Sequence, residues 1–490
     1  MYASVSSVAL MGIEPQRVSV EVFVGRPAQS PMTIVGLPDT AVREARERVK
    51  AAILESGFRF PNGRIIVNLA PADLPKVGSA YDLPIAIGVL IAAGLVPSNG
   101  GGGIVLGELA LDGAVRPARG GLGAALVARE AGLPCVLAPE SAAEAARVEG
   151  ADVRAVASLT DALGVLIRGE PGRPIPADLA GPESTGDLSD VRGQALARRA
   201  LELAAAGGHH MLMWGPPGSG KTMLSRSLPG ILPPLSSAES LEVAQIWAAG
   251  GRGPSSREYR PFRAPHHSAT PAALIGGGSG IPVPGEVSYA HHGVLFLDEV
   301  GEFPAQLLNH LRQPLEEGSV TIARKGASIC FPSSFQLVAA TNPCPCGFHG
   351  DPLIPCECPP HVVDRYRRRL SGPLVDRFDV RVAVPRPDRT ELLGSPGESS
   401  DCVAERVLAA RKRQNARGCI NRNLTRRHLD HIEWHADARL LVDRAFDQLA
   451  LTARGYDRIR RVARTVADLD ESDVVGPRHV AEALAYRGSW

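Results

Sequence analysis

Runs of β-branched residues at 18–24 and 64–69 predict strands, and between them Asp39 stands as an N-cap ahead of Val42, Ala45, Val49 and Ile53. Those four apolar positions recur at helical spacing, so they predict a helix with one buried face. The stretch 83–107 carries no charge, yet Pro84, Pro97 and the glycines at 100–103 break it short of the ~20 apolar residues that span a bilayer. It reads as a buried helix followed by a turn. Strand and helix patterns thus alternate through residues 1–170, which predicts an α/β domain. Residues 171–187 are rich in Pro and Gly and lack periodicity, as expected of a linker.

A helix over 194–206, an apolar strand over 210–214, a glycine-rich turn and further apolar strands over 293–297 and 335–340 come next. This order predicts a parallel sheet in a core spanning 188–385. Beyond Pro385 and Pro387, helical periodicities take over at 402–414, 436–453, 457–468 and 477–486, so residues 386–490 are expected to form a separate helical lid. The sequence carries no internal repeat.

With 490 residues, 44% of them apolar, the chain is long enough for two or three buried cores, which excludes wholesale disorder and small disulfide scaffolds. Its 53 basic residues nearly cancel 52 acidic ones, so any nucleic-acid contact must come from a local patch. Only Lys50, Lys76, Lys221, Lys325 and Lys412 are lysine, the other 48 basic residues being arginine. Abundant Arg, Ala, Gly and Pro with 4% aromatics reads as codon bias, against which each surviving lysine is worth checking. Residues 1–11 lack the charged start and apolar stretch of an export signal, so a cytoplasmic protein without a membrane partner is expected. Four of the eight cysteines crowd between Cys344 and Cys358, which in a reducing compartment suggests metal rather than disulfides.

The glycine-rich turn is Gly215, Pro216, Pro217, Gly218, Ser219, Gly220, Lys221 and Thr222, placed between an apolar strand and a helix. In such a P-loop the backbone N–H groups wrap phosphates, Lys221 reaches the β and γ phosphates of ATP, and Thr222 ligates Mg2+. An apolar strand then ends in Asp298 and Glu299, 76 residues after the threonine. Asp298 would hold the magnesium and Glu299 would polarise the attacking water, since phosphoryl transfer needs positioning and charge neutralisation. The next strand ends at Asn342, placed to orient the same water or touch the γ-phosphate.

These three elements followed by helices resemble an AAA+ ATPase. Segments 262–268 (FRAPHHS), 284–290 (PGEVSYA), 341–347 (TNPCPCG) and 370–379 (LSGPLVDRFD), with 34–38 (IVGLP) and 70–76 (APADLPK), resemble the ComM/YifB family of magnesium-chelatase-like ATPases along essentially the whole chain. The resemblance implies that Asn342 is sensor 1 and Arg377 an arginine finger acting on a neighbouring subunit, hence a homo-oligomeric ring, a hexamer by family similarity. It places the second sensor in 458–465, where Arg461 and Arg464 share a helix face and both stay open.

Residues 319–331 read as two β runs around a basic glycine-containing turn, and the run resembles the pore hairpin of minichromosome-maintenance helicases. Arg324 and Lys325 at its tip would contact DNA phosphates without sequence preference; a solvated tip is the alternative. Residues 405–427 hold eight Arg or Lys against one acid, suited equally to a nucleic-acid backbone and to a solvated helix. Cys344, Cys346, Cys356 and Cys358 form C-x-C-x9-C-x-C in an insertion at 343–360 and suit tetrahedral Zn2+, with His349 and His361 as substitute ligands. Reduced structural thiols and a redox switch remain alternatives.

The N-terminal domain resembles the Lon protease domain, of the ribosomal S5 domain 2-like class. At the matching stretch the nucleophile position holds Ala80, and the general-base lysine position after Gly120, Gly121 and Leu122 holds Ala125. A Ser-Lys dyad needs both groups, so no peptidase chemistry is expected. The resemblance implies a ring ATPase remodelling DNA, by branch migration or unwinding, in recombination or natural transformation. A magnesium-chelatase motor subunit and an ATP-dependent unfoldase or peptidase are the alternatives.

Overall fold

The Asp39 carboxylate accepts the backbone N–H of Val42 at 2.8 Å and starts the helix Thr40–Glu55, along which Val42, Ala45, Val49 and Ile53 are all buried. In this computed structural model every residue is described except 28–31, 98–101, 177–185, 254–257, 279–280, 325–326, 371, 450 and 489–490, with no side-chain description at 27 and 327. Lys325 and part of the expected linker therefore lie outside the described residues. The chain divides into two compact units, one made of Met1–Ala180 with Leu241–Ser255 and Arg324–Ile329, the other of the remainder.

The first unit is built on a seven-stranded mixed sheet in the order Thr33–Val35, Gly63–Ala70, Glu14–Pro27, Tyr2–Met11, Ile104–Val105, Cys135–Leu137, Val153–Ala155. The two long strands at its centre pair antiparallel, Val5 opposite Val20 and Val8 opposite Arg17. Helix Asp82–Ala92 is buried along its whole length, as an all-apolar helix must be. Its one charge, Asp82, receives Arg48 through two nitrogens at 2.6 and 3.0 Å. Burial raises the Asp82 carboxyl while the Arg48 hydrogen bond opposes it.

The second unit holds a five-stranded, all-parallel sheet in the order Phe262–Arg263, Val294–Leu297, Gln336–Thr341, Met211–Trp214, Val380–Ala383. The P-loop strand thus lies second from one edge, with the strand leading to Asn342 beside it at the centre and the strand leading to Asp298 one place beyond. Because all run the same way, their carboxyl ends share one edge, where ligands of open parallel sheets bind. Helices Ala195–Gly207 and Lys221–Ile231 pack against this sheet.

Four longer helices end the chain: Ser400–Ala416, Ala436–Gln448, Ala453–Leu469 and Pro477–Ala485. Val403, Val407, Val462, Val466 and Val480 from these helices join Met211, Phe296, Val338 and Val382 of the sheet in one buried apolar cluster. The core is therefore continuous past residue 385. Among the described residues no helix is long and apolar enough to cross a membrane.

Candidate nucleotide site and its surroundings

Residues 215–220 form the turn between the strand Met211–Trp214 and the helix Lys221–Ile231. Gly215 is required there, since a Cβ would lie 1.9 Å from the carbonyl oxygen of Val384. Lys221 and Ser219 are buried. The Lys221 ammonium donates to the carbonyls of Gly215 at 2.8 Å and Pro216 at 2.9 Å, and reaches Ser219 Oγ at 3.3 Å and Asn342 Oδ1 at 3.4 Å. Burial pushes this amine down to about 8, with Asp298 and Glu299 pulling the other way.

Thr222 Oγ1 donates to Asp298 Oδ2 at 2.8 Å. Hydroxyl and carboxylate thus converge at the first turn of the P-loop helix, a hard-oxygen pair of the kind Mg2+ takes beside phosphates. Glu299 is exposed, holds a left-handed backbone (φ 50°), and donates its N–H to Asp298 Oδ1 at 3.0 Å. A non-glycine residue in that conformation costs about 1–2 kcal/mol, at the position assigned to the water-polarising acid. Thr222, Lys221, Asp298 and Asn342 are joined by these bonds, as the strand order requires.

Arg377 lies elsewhere. It lines a cavity of about 530 Å³ together with Arg422, Arg454, Arg458 and Arg461, a cavity that no P-loop residue lines. Its partner is Glu316, not the neighbouring acids Asp376 or Asp379. Asp379 takes the Arg458 guanidinium at 3.2 Å and His209 Nδ1 at 3.4 Å. Although burial opposes its charge, the His209 hydrogen bond and Arg458 hold the Asp379 carboxyl well below the usual range. Arg377 Nε and Arg458 Nη1 are buried without hydrogen-bond partners.

Of the two second-sensor candidates, Arg461 faces this cavity and donates from Nε to the Leu424 carbonyl at 2.8 Å. Arg464 is buried and engages Asp468 Oδ1 at 2.9 Å and the carbonyls of Ser472 and Asp473. It is a clasp between the helix and the turn after it. Arg454 was not among the sequence candidates and Arg458 only opened the sensor segment, although with Arg461 they form an i, i+4, i+7 row that a helix must place on one face. Glu316 carried no such signal.

The strands Ser319–Arg324 and Ala327–Pro332 form a two-stranded sheet with Arg324 exposed at the end of the first. The basic segment 405–427 is partly engaged in the fold, while Lys412, Arg426 and Arg427 are exposed. Arg406 binds Glu202 and Glu398, Arg411 caps the Ala205 carbonyl, Arg417 holds Asp468 and Arg422 donates to the Phe335 carbonyl. Arg406, Arg411 and Arg422 fasten the C-terminal segment to the core, and Arg417 ties it to the helix Ala453–Leu469.

The thiols of Cys344, Cys346, Cys356 and Cys358 all lie within 4.8 Å of one another, and neither His349 nor His361 belongs to the group. Sulfur separations are 3.3 Å for 344 to 346, 3.7 Å for 344 to 356 and 3.6 Å for 346 to 356. A backbone hydrogen bond from Phe348 brings the Cys346 thiol down to about 6. In the first unit, Ala80 and Ala125 are buried. Ser79 donates to Glu108 and the buried Lys76 to the Pro71 carbonyl, so hydroxyl and amine are committed to separate partners.

Three family models match the chain: magnesium chelatase subunit ChlI over residues 187–392, subunit ChlI of Mg-chelatase over 20–142, and the ChlI C-terminal region over 397–487. The YifB protein of Salmonella typhimurium is 43% identical over 99% of this chain and 97% of its own length. The competence protein ComM of Haemophilus influenzae is 41% identical over 99% of this chain and 97% of its own. The magnesium-chelatase 67 kDa subunit of Heliobacterium mobile is 26% identical over 44% of this chain and 35% of its own.

Proposed function

This chain belongs to the ComM/YifB family of magnesium-chelatase-like AAA+ ATPases, and from that premise we propose that it hydrolyses ATP as a ring of identical subunits to remodel DNA. The observation that carries the reading is the separation of two phosphate-seeking groups: Lys221, Thr222, Asp298 and Asn342 at the P-loop, and Arg377 in another cavity. An arginine placed there serves a nucleotide held by a neighbouring copy. Arg461 lines the same cavity and is our second sensor, so finger and sensor would act on one phosphate across a subunit boundary. The buried unpartnered nitrogens of Arg377 and Arg458 fit an anionic visitor.

Within the P-loop, the backbone N–H groups of 215–222 cradle phosphates and Lys221 exchanges its carbonyl partners for phosphate oxygens. Thr222 and Asp298 would hold Mg2+, which neutralises phosphate charge when bound. Glu299 accepts a proton from water as it attacks, and Asn342 holds that water's orientation. The four thiols would hold one structural Zn2+. Residues 1–170 act as a peptidase-inactive Lon-like domain in assembly or substrate contact, with Ala80 and Ala125 at the two catalytic slots.

DNA is our substrate class because Arg324 is exposed on the hairpin and because the Haemophilus relative is a competence protein. The test is the ATPase rate with and without forked or four-way DNA, with Lys221→Ala as the dead control. Stimulation that is lost in an Arg324→Ala, Lys325→Ala double variant, with basal hydrolysis kept, supports the pore reading; no binding and no stimulation refutes it. The magnesium-chelatase matches favour a second reading, a motor for metal insertion. That motor would be indifferent to DNA.

A further inference from the structure

Zn–S bonds of about 2.3 Å in a tetrahedron set the sulfurs about 3.8 Å apart. The three sulfur separations measured between Cys344, Cys346 and Cys356 run from 3.3 to 3.7 Å, so little movement is needed to close around an ion. A disulfide, at about 2.05 Å between sulfurs, is not formed by any of them. The insertion that carries these thiols is short of regular structure from 343 to 359 and has Pro and Gly throughout, so cross-linking is what would give it a single shape.

Two features tie this insertion to the nucleotide site. It begins two residues after the sensor strand, with Cys344 fully buried immediately beyond Asn342 and Pro343. Its Gly347 lies flat against the apex of the P-loop: a Cβ there would fall 2.6 Å from Pro217 Cδ and 2.8 Å from Cγ, at a φ of +88°. The four-cysteine turn therefore touches Pro217 and follows directly on Asn342, whose side chain meets Lys221 at 3.4 Å.

We infer that the four-cysteine turn is a zinc-dependent brace of the nucleotide site, in which metal occupancy sets how firmly the P-loop apex and Asn342 are held and thereby tunes ATP binding. The inference rests on the zinc reading above and adds regulation to it. With zinc in place, the turn presents Gly347 to Pro217 as a fixed wall. With zinc removed, four ligating positions lose their common centre, the wall against Pro217 loosens, and the chain that follows Asn342 loses its anchor.

The experiment uses the full-length chain. Metal content is measured on freshly purified protein, and Co2+ exchange is followed by its thiolate charge-transfer absorption. Affinity for the slowly hydrolysed analogue ATPγS is then measured before chelation, after chelation and after Zn2+ is restored. The expected result is one zinc per chain, a tetrathiolate cobalt spectrum, and about tenfold weaker nucleotide binding after chelation that Zn2+ reverses. Absence of zinc and of a cobalt spectrum overturns the metal reading and the brace together. Zinc present with unchanged ATPγS affinity after its removal overturns the brace and leaves the metal site standing.

Chelation or Cys356→Ser would also weaken binding if it unfolded the whole unit, so Gly347→Ala provides the independent arm. That variant keeps all four thiols and is expected to retain zinc and its cobalt spectrum while binding ATPγS about tenfold less tightly, because its Cβ meets Pro217 and the left-handed backbone at 347 strains the turn. Wild-type affinity in a zinc-loaded Gly347→Ala protein overturns the brace.

Discussion

Raising the pH from 7.5 to 9.5 should weaken nucleotide binding through a single group, Lys221. Burial places its ammonium at about 8, whereas phosphates drawn to the same amine would hold it charged well above that value. In the free protein about three quarters of Lys221 is charged at pH 7.5 and about 3% at pH 9.5, so affinity should fall about 25-fold, or ~1.9 kcal/mol. The window starts above the second phosphate pKa of about 6, so the ligand itself stays fully ionised. Fluorescence titration with ATPγS at fixed Mg2+ gives the profile. Lys221→Arg supplies the control, because a guanidinium stays charged throughout and its profile should be flat whatever its absolute affinity. A flat wild-type profile, or the same decline in Lys221→Arg, would refute the assignment of Lys221 as a desolvated phosphate ligand.

Three further outcomes are expected. Arg377→Ala should bind ATP normally yet hydrolyse it about 10³-fold more slowly; mixing it with Lys221→Ala subunits should restore hydrolysis, and no recovery would exclude action across a boundary. Arg48→Met strands the fully buried Asp82 carboxylate and should destabilise the first unit by about 3–5 kcal/mol in denaturant unfolding, while Arg48→Met with Asp82→Leu should recover most of it. Burial pushes His210 down to about 3, with Arg422, Asp379, Arg458 and His209 around it. Because its folded value is depressed, the unfolded chain binds the extra proton: this stability is complete above pH ~6.5 and falls as pH drops below that, by about 2 kcal/mol at pH 5. His210→Asn, whose amide oxygen can still accept the Leu337 N–H that His210 Nδ1 accepts at 2.9 Å, should flatten that acid slope by one proton.

The geometry of the candidate nucleotide site was legible because each part is local. A run of apolar residues makes the strand, the residue after it caps the strand's end, and a parallel sheet gathers those ends on one edge. Lys221, Asp298 and Asn342 could therefore be named without knowing the strand order, which then brought Thr222 to 2.8 Å from Asp298. The Asp39 cap and its buried face were legible for the same reason. The cysteine spacing pointed to four thiols in one turn, and they lie within reach of one ion.

Charge was read least well. In the segment 405–427, Lys412, Arg426 and Arg427 stay exposed, while Arg406 reaches Glu202, 204 residues away, and Arg411 reaches the Ala205 carbonyl, 206 residues away. Arg464, one of two sensor candidates, engages Asp468 and the carbonyls of Ser472 and Asp473, partners that its spacing in the sequence did not single out.

By itself, the sequence determined the family, the α/β character and the residues at the ends of the core strands, since backbone propensity and strand register act over a few neighbours. Tertiary structure alone decided that Arg377 pairs with Glu316 and shares a cavity with Arg454, Arg458 and Arg461, that the C-terminal arginines fasten helices, and that Gly347 rests on Pro217. A long charged side chain or a bare glycine takes its role from whatever packing brings beside it, and packing joins residues that the chain itself keeps far apart.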